Sequence, residues 1–598
     1  MNLHDLVSHL VLDTESSVRL FIPELVICAT IVLMLLIRMT PARRIISSFA
    51  VLLVGSLVAL ALSGPWVGVE RQEIFTGMLV YDGFTVYVRT ILLLFAALFA
   101  VFTRLSGLPD REDGADIYTL VLGATLGMCI MASANHLLTV FLGVEMASVP
   151  SYALAAMLKG RRQSSEAALK YSIYGAGAAG VMLYGISLIG GMLNTLHLPT
   201  VAVELAEKLP TLSGEQQMIL ALAGLLIGVG LAFKLSAVPF HFWAPDVFEG
   251  ASAEVNAFLS VASKAAALAL VVRVVVGFGF VTGHHLPDSP KTAAVEVARG
   301  ESALFAVADE PAADGKKPEE KKPEEKKEES KADEKTAAND AAPATATLTA
   351  SVANKNLAPV RGFIGKLAGL IAILTCTFGN LAAYGQTNIK RLFAYSTIAH
   401  AGYMLMAIPA LTALVGYDVG AASRAVAGLA VYIFVYLFMN LGAFAIIAFW
   451  RNALRTEEIS AYQGLIRRAP FTVICFTTIL FSLIGLPPLA GFIGKLAVFA
   501  PLADAYRLSA EHGAPANYAL IVLVLGSLNT ALSLFYYLRV VKVMTIDPEP
   551  ADRPPAEFSN VFLKGVFVAT VTVPLVVLIF GWNWLYEWSL SAARQVFG

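Results

Sequence analysis

This sequence predicts an all-α polytopic membrane protein of about fourteen transmembrane helices, and three observations carry that reading. Hydrophobic residues make up 57% of the 598 positions and charged residues only 15%, a balance foreign to soluble globular chains. Apolar stretches of roughly 20 residues recur along the chain, the length that a hydrocarbon core of about 30 Å demands of a helix. Lysine and arginine gather in alternate short loops, as they do on the cytoplasmic side of membrane proteins.

The segments follow in order. Three expected helices, Glu24 to Leu36, Phe49 to Leu62 and Phe84 to Val101, lie in an amino-terminal unit over 1–115. Acids and histidines at the start of the chain stand where a secretory leader carries basic residues, so the first apolar run reads as a retained span. Five more follow within 116–283: Tyr118 to Met131, Leu138 to Met157, Ala167 to Met192, Met218 to Val238 and Ala257 to Val276. A second five lie within 361–545: Phe363 to Tyr384, Leu392 to Ala413, Ala427 to Trp450, Phe471 to Phe499 and Tyr518 to Val541. Val566 to Trp588 closes the chain within 546–598.

Between the two blocks, 284–360 contains DGKKPEEKKPEEKKEESKADEKTAANDAAPATAT, a Lys, Glu, Pro and Ala run unable to bury a core and expected to be a disordered insertion on the outer side. The inside loops would carry Arg43 and Arg44, Arg104 and Arg111, Lys159 with Arg161 and Arg162, Lys390 and Arg391, Arg451 through Arg468, and Arg539 through Arg553. The outside short loops hold only Arg71, Lys208, Arg424 and Arg507, which puts both termini on the outer, periplasmic side.

Formal net charge is −1, which offers nothing to nucleic acid. Cys28, Cys129, Cys376 and Cys475 stand singly in apolar stretches, with no C-x-x-C pair or histidine cluster for zinc, haem or iron–sulfur. No bound cofactor or metal is therefore expected in this chain. The glycines of YGAGAAG suit close helix packing and not phosphate binding, since no strand or Lys-Ser pair accompanies them.

Ionisable residues in the middle of apolar helices are the informative ones, because a central Lys or Asp costs roughly +2.5 to +3.5 kcal/mol to insert and usually faces a polar interior. Glu145, Lys170, Lys234, Lys264 and Lys495 stand out. Lys234 lies near Pro239 and Lys495 near Pro487 and Pro488. Prolines break helices, and paired broken helices at corresponding places in two blocks mark a transport site. That makes Lys234 and Lys495 equivalents in two repeats. A lysine poised between desolvation and a nearby carboxylate takes and gives protons, and Glu145 is the expected partner of Lys234. His400, inside a span, is a candidate relay; His241, among interfacial aromatics, reads as a belt residue. Lys366, Lys390 and Lys542, near span ends, are expected to snorkel, and a purely structural buried ion pair is the competing reading for the central residues.

At these residues the chain closely resembles the subunit N family of respiratory complex I, the proton-translocating NADH:quinone oxidoreductase. The matching segments are FLGVEMASVPSYALAA, KYSIYGAGAAGVMLYG, AFKLSAVPFHFWAPDVFEGASAEVNAFLSVASKAA, QTNIKRLFAYSTIAHAGY, GLPPLAGFIGKLAVF and YYLRVVKVM. The resemblance implies an antiporter-like fold of two inverted five-helix repeats, with Glu145, Lys234, Lys264 and Lys495 along a central hydrophilic axis and Lys170 matching a further family lysine. It implies a bacterial inner-membrane location, with lipid, other complex I membrane subunits and antiporter-like paralogues as partners. NADH, FMN, iron–sulfur clusters and quinone would be bound by other subunits, and this chain alone would have no catalytic activity. An Mrp-like sodium/proton antiporter subunit and the membrane subunit of a hydrogenase-linked complex share the fold and are the alternatives. The chain departs from the family at ASAEVNAF, where APTPVTAF is usual, which adds Glu254 near a cytoplasmic helix start.

Overall fold

A computed structural model describes residues 3–64, 68–108, 114–158, 160–282, 349–550 and 561–598. Arg111, Lys159, Arg553 and most of the expected 284–360 insertion lie outside the described residues.

The chain begins with α1 (Leu3–Leu20), a helix not among the expected spans, followed by α2 (Ile22–Met39), α3 (Ser48–Ala61) and α4 (Gly83–Ser106). A short antiparallel hairpin of β1 (Gln72–Ile74) and β2 (Leu79–Tyr81), in register Glu73 to Val80, precedes α4. Next come α5 (Gly114–Ser133), α6 (Leu137–Ala155), α7 (Arg162–Leu193), the short α8 (Leu198–Lys208), α9 (Gly214–Leu235), α10 (Trp243–Gly250) and α11 (Ala253–Gly279). After the undescribed stretch come α12 (Ala350–Asn356), α13 (Ala358–Ala383), α14 (Ile389–Leu405), α15 (Ala407–Leu414), α16 (Val419–Leu454), α17 (Pro470–Ile484), α18 (Ala490–Glu511) and α19 (Asn517–Thr545). The chain closes with α20 (Val561–Val577) and α21 (Trp582–Arg594). The end of the expected insertion is thus helix, capped by the Thr349 hydroxyl and tied to α8 by Asn356, which donates to the Ala206 carbonyl at 3.0 Å.

Among the described residues, eleven helices are long and apolar enough to cross a membrane, and twelve if α20 and α21, bent by 86°, count as one span. The expected count of about fourteen is not reached. The difference has a geometric cause: α3 has 14 residues and α17 has 15, so at about 1.5 Å per residue each reaches about 21–23 Å, short of the hydrocarbon thickness.

Two classes of helix result. The most apolar window of α16 is 100% buried, and those of α11 and of α14 with α15 are 94% buried, whereas α2 and α19 bury only 28%. Helices apolar all round belong inside a bundle, and these three elements form its centre. They carry Lys264, His400, Tyr432 and Tyr436 there.

Buried ion pairs tie one end of the bundle. Arg89 reaches both carboxylate oxygens of Glu24 at 3.1 Å and donates to Ser63; Arg273 grips Asp82 through two bonds of 2.6 Å. Hydrogen-bonded pairs of this kind, bidentate for Arg273, can offset the cost of burial. At the opposite end Arg38 pairs with Asp116, and the Asn452 amide donates to the Ser106 carbonyl.

Candidate functional site

The site is built around two helix breaks. At the first, α9 ends with Ser236 in the left-handed region at φ 59, and the Ala237 amide returns to the Ala232 carbonyl, a Schellman-type termination. The Thr375 hydroxyl accepts from the Val238 amide and the Trp243 indole donates to the Phe233 carbonyl, each at 3.0 Å, so the freed backbone is satisfied. Lys234, in the last turn before the break, is 3% exposed and its ammonium donates to the Ser148 hydroxyl of α6 at 2.9 Å. Glu145 lies one turn earlier on α6 and is half-buried. Among the described residues it makes no ion pair or hydrogen bond with Lys234, so the expected direct pair is replaced by a hydroxyl contact.

Lys264, on α11, is 2% exposed and donates to two main-chain oxygens, Leu235 and Thr397, each at 3.0 Å. Leu235 is the last residue of α9, whose carbonyl the break deprives of an intrahelical donor and whose dipole favours a cation. Lys264 therefore joins the first break to α14.

Beyond it lies a cluster of hydroxyls about His400, which is 1% exposed. The imidazole Nδ1 meets the Tyr432 hydroxyl at 2.8 Å and Nε2 meets the Tyr537 hydroxyl at 3.3 Å. Tyr537 in turn pairs with Ser396 at 2.5 Å. The Tyr436 ring lies 5.3 Å from the imidazole, and Asn440 donates to its hydroxyl at 2.6 Å.

The second break repeats the first in outline. Gly485, at φ 89, ends α17, and the Leu486 amide returns to the Phe481 carbonyl. Lys495, one turn into α18 and 4% exposed, donates to the Ile484 carbonyl at 2.8 Å and stands 4.5 Å from the centre of the Tyr403 ring. By contact, Lys495 and Lys264 are alike: both sit on the terminal carbonyl of a broken helix.

Three other residues fall elsewhere. The Lys170 side chain is 37% exposed and bonds Asp246 at 2.8 Å and Glu166 at 2.9 Å, in a surface cluster where Arg391 pairs with Glu249. His241 packs its ring 4.2 Å from Phe378, away from the buried row. Lys390 does not snorkel: it is 1% exposed, with bonds of 2.8 Å to the Glu249 and Ala251 carbonyls and 2.9 Å to the Glu457 carboxylate. Lys366 and Lys542 are exposed as expected. Among the described residues no group of three His, Cys, Asp or Glu side chains converges as a metal site would.

Sequence reasoning missed Ser148, Thr397, Ser396, Tyr403, Tyr432 and Tyr537. A signal was present, since Tyr432, Tyr436 and Asn440 recur every four residues in an otherwise apolar helix and so share one face.

Comparison with known proteins identifies the family and the fold. The family described as "NADH:quinone oxidoreductase/Mrp antiporter, TM" matches residues 134–285 and 342–510. NADH-quinone oxidoreductase subunit N from Anaeromyxobacter sp. is 33% identical over 93% of this chain and 92% of that protein. Subunit N 2 from Sorangium cellulosum is 34% identical over 98% of each. Respiratory complex I from Thermus thermophilus with bound aureothin contains a chain with TM-score 0.64 and 27% identity, covering 94% of this chain and 98% of that one. The Mrp complex from Dietzia sp. matches at TM-score 0.65 but 17% identity over 98% of each, a likeness of fold alone. With its matched regions spanning both helix breaks and three buried lysines, the chain belongs to the NADH:quinone oxidoreductase/Mrp antiporter transmembrane family, among relatives named subunit N.

Proposed function

We propose that this chain is a proton-translocating membrane subunit of NADH:quinone oxidoreductase, with Lys234, Lys264 and Lys495 as its proton carriers. One observation carries the reading: three lysines, each no more than 4% exposed, are bonded only to hydroxyl or carbonyl oxygens among the described residues. The buried ion pairs of the bundle are built differently, with carboxylates on Arg89 and Arg273. An ammonium held by neutral oxygens keeps the freedom to lose its proton to the next group.

The order of groups follows the contacts. Glu145, on the face of α6 that also presents Ser148, sets the local field at Lys234. Lys234 passes its proton towards Lys264, which shares the first break with it. His400 and its tyrosine and serine hydroxyls bridge Lys264 and Lys495, each able both to accept and to donate. Lys170, on the surface, belongs to a docking or gating cluster and not to the buried row. The two blocks 116–283 and 361–545 act as inverted repeats about this row.

NADH, FMN, the iron–sulfur clusters and quinone belong to other subunits, and redox chemistry there drives proton movement here. Neighbouring membrane subunits, antiporter-like paralogues among them, and lipid cover the exposed apolar faces. The location is a bacterial inner membrane with both termini periplasmic. In support, loops assigned to the inside meet one another, as in the Asn452 contact with Ser106 and the Lys390 pair with Glu457.

The test is NADH-driven proton pumping in membrane vesicles containing the Lys234→Ala complex, with assembly checked by native gel. Pumping is expected to fall to background in a complex that assembles normally. Pumping at the parent rate would reduce Lys234 to a structural charge and defeat the proposed path.

A further inference from the structure

Glu254 is a buried carboxylate without a hydrogen-bond donor. It occupies the first turn of α11 and is 1% exposed, yet neither of its carboxylate oxygens accepts a hydrogen bond within the protein. The Val255 amide, which could have served it, goes to the Ser252 hydroxyl, and the Asn256 amide goes to the Ser252 carbonyl. Buried carboxylates that stabilise a fold have donors, as Asp82 and Glu24 do here. A preference of acids for the positive end of a helix explains an exposed first-turn glutamate. It does not explain one this deeply buried with neither oxygen hydrogen-bonded.

The surroundings are charged. Arg451 of α16 places Nη2 3.9 Å from Glu254, in charge-pair range but too far for a hydrogen bond, and its own donors turn to Asn452. Lys390 of α14 and Glu457 form the adjacent pair at 2.9 Å, and the second oxygen of Glu457 is also buried without a donor. The Arg451 and Glu457 side chains are 14% and 17% exposed, so the cluster opens on the surface at the end of the bundle where Arg38 and Ser106 lie.

Beyond this cluster, polar side chains continue along α11 and α16 towards Lys264 and His400. On α11, Asn256, Ser260 and Lys264 follow at four-residue intervals and share one face. On α16, Asn440 and Tyr436 lie on the way from Arg451 to His400. The amide oxygens of Asn256 and Asn440 are both buried without a donor. Buried acceptors left open in a row are the sites that water occupies in proteins. Glu254 and Lys264, ten positions apart on one helix, are about 15 Å apart, a span that a few bridged waters cover.

We propose that Glu254 is the carboxylate that takes up protons at the Arg451 surface and delivers them to Lys264. The carboxylate binds a proton that enters from surface water past Arg451 and Glu457 and, as a neutral acid, releases it by way of the polar side chains of α11 and α16 and bridging water to neutral Lys264, which leaves carboxylate and ammonium. The inference rests on the proton path proposed above, and the experiment keeps the two apart.

Glu254→Gln, Glu254→Asp and Lys264→Ala complexes are compared for the initial rate of NADH-driven proton pumping, with assembled complex quantified by native gel. Glu254→Gln is expected to pump at least about tenfold more slowly, Glu254→Asp to recover most of the parent rate, and Lys264→Ala to fail. Parent-rate pumping by Glu254→Gln alongside failure of Lys264→Ala overturns the role of Glu254 and leaves the path standing. Parent-rate pumping by Lys264→Ala sinks the path itself. Should Glu254→Gln not assemble, infrared difference spectra on reduction decide with Glu254→Asp: a responding carboxyl band that shifts supports the assignment, and an unshifted spectrum overturns it.

Discussion

The two helix breaks solve one problem with different means. Both stop a helix at membrane depth with a left-handed residue, Ser236 in one and Gly485 in the other, and both offer the freed terminal carbonyl to a lysine. At the first break two lysines share the work: Lys264 takes the carbonyl and Lys234 takes the Ser148 hydroxyl, with Glu145 a turn away on the same helix. At the second, Lys495 alone takes the carbonyl and looks onto the Tyr403 ring. The first break can be tuned by a carboxylate and by a side-chain hydroxyl. The second is tied to main chain and aromatic surface, which leaves substitution little to adjust except the lysine itself.

That contrast is open to attack in order of expected effect. Lys495→Met keeps the unbranched shape of the side chain, one atom shorter, and removes its charge, and NADH-driven pumping should fall at least about a hundredfold; a pumping Met variant would make the second break structural. Ser148→Ala leaves the Lys234 ammonium without its hydroxyl, a loss of about 1.5–3 kcal/mol for a charged bond, so pumping should slow by about tenfold or more while assembly is retained. An unchanged rate would show that Lys234 does not depend on Ser148.

Tyr432→Phe tests the bridge between the breaks. It removes the hydroxyl on His400 Nδ1 at a cost of about 1 kcal/mol, and pumping should drop by about fivefold. Parent kinetics in this variant would remove Tyr432 from the route. The smallest effects concern the breaks as turns. Gly485→Ala should lower complex stability by about 1–2 kcal/mol, because a left-handed residue acquires a Cβ, and that Cβ would lie 3.0 Å from Lys495 Cδ. Ser236→Gly should raise stability by up to about 1 kcal/mol for the converse reason. Thermal unfolding of the assembled complexes reads both, and equal midpoints would show that the turns carry no strain.

Much of this architecture is legible in the amino-acid sequence. Apolar runs locate the helices, and prolines beside Lys234 and Lys495 locate the breaks, because a missing amide ends a helix wherever it stands. Lysines in apolar context mark the buried row, because the cost of burying charge does not depend on knowing the neighbours. The count of about fourteen spans is not confirmed by length among the described residues, because α3 is short and α17 is only half of a broken span. Lys390 reads as a snorkelling end residue because its helix starts there, and only the returning loop with Glu457 closes over it.

The sequence by itself determined that this is a membrane helix bundle with breaks at two places and charges that must face inward, since hydropathy and proline act along one chain segment at a time. Only the tertiary structure decided what each charge meets. Glu145 and Lys234 were expected to touch and do not; Lys264 and Lys495 share the role of capping a broken helix; His400 gains two tyrosines from two other helices. Most of these partners lie from about thirty to more than a hundred positions away along the chain, and their approach is set by how helices pack, which no local pattern encodes.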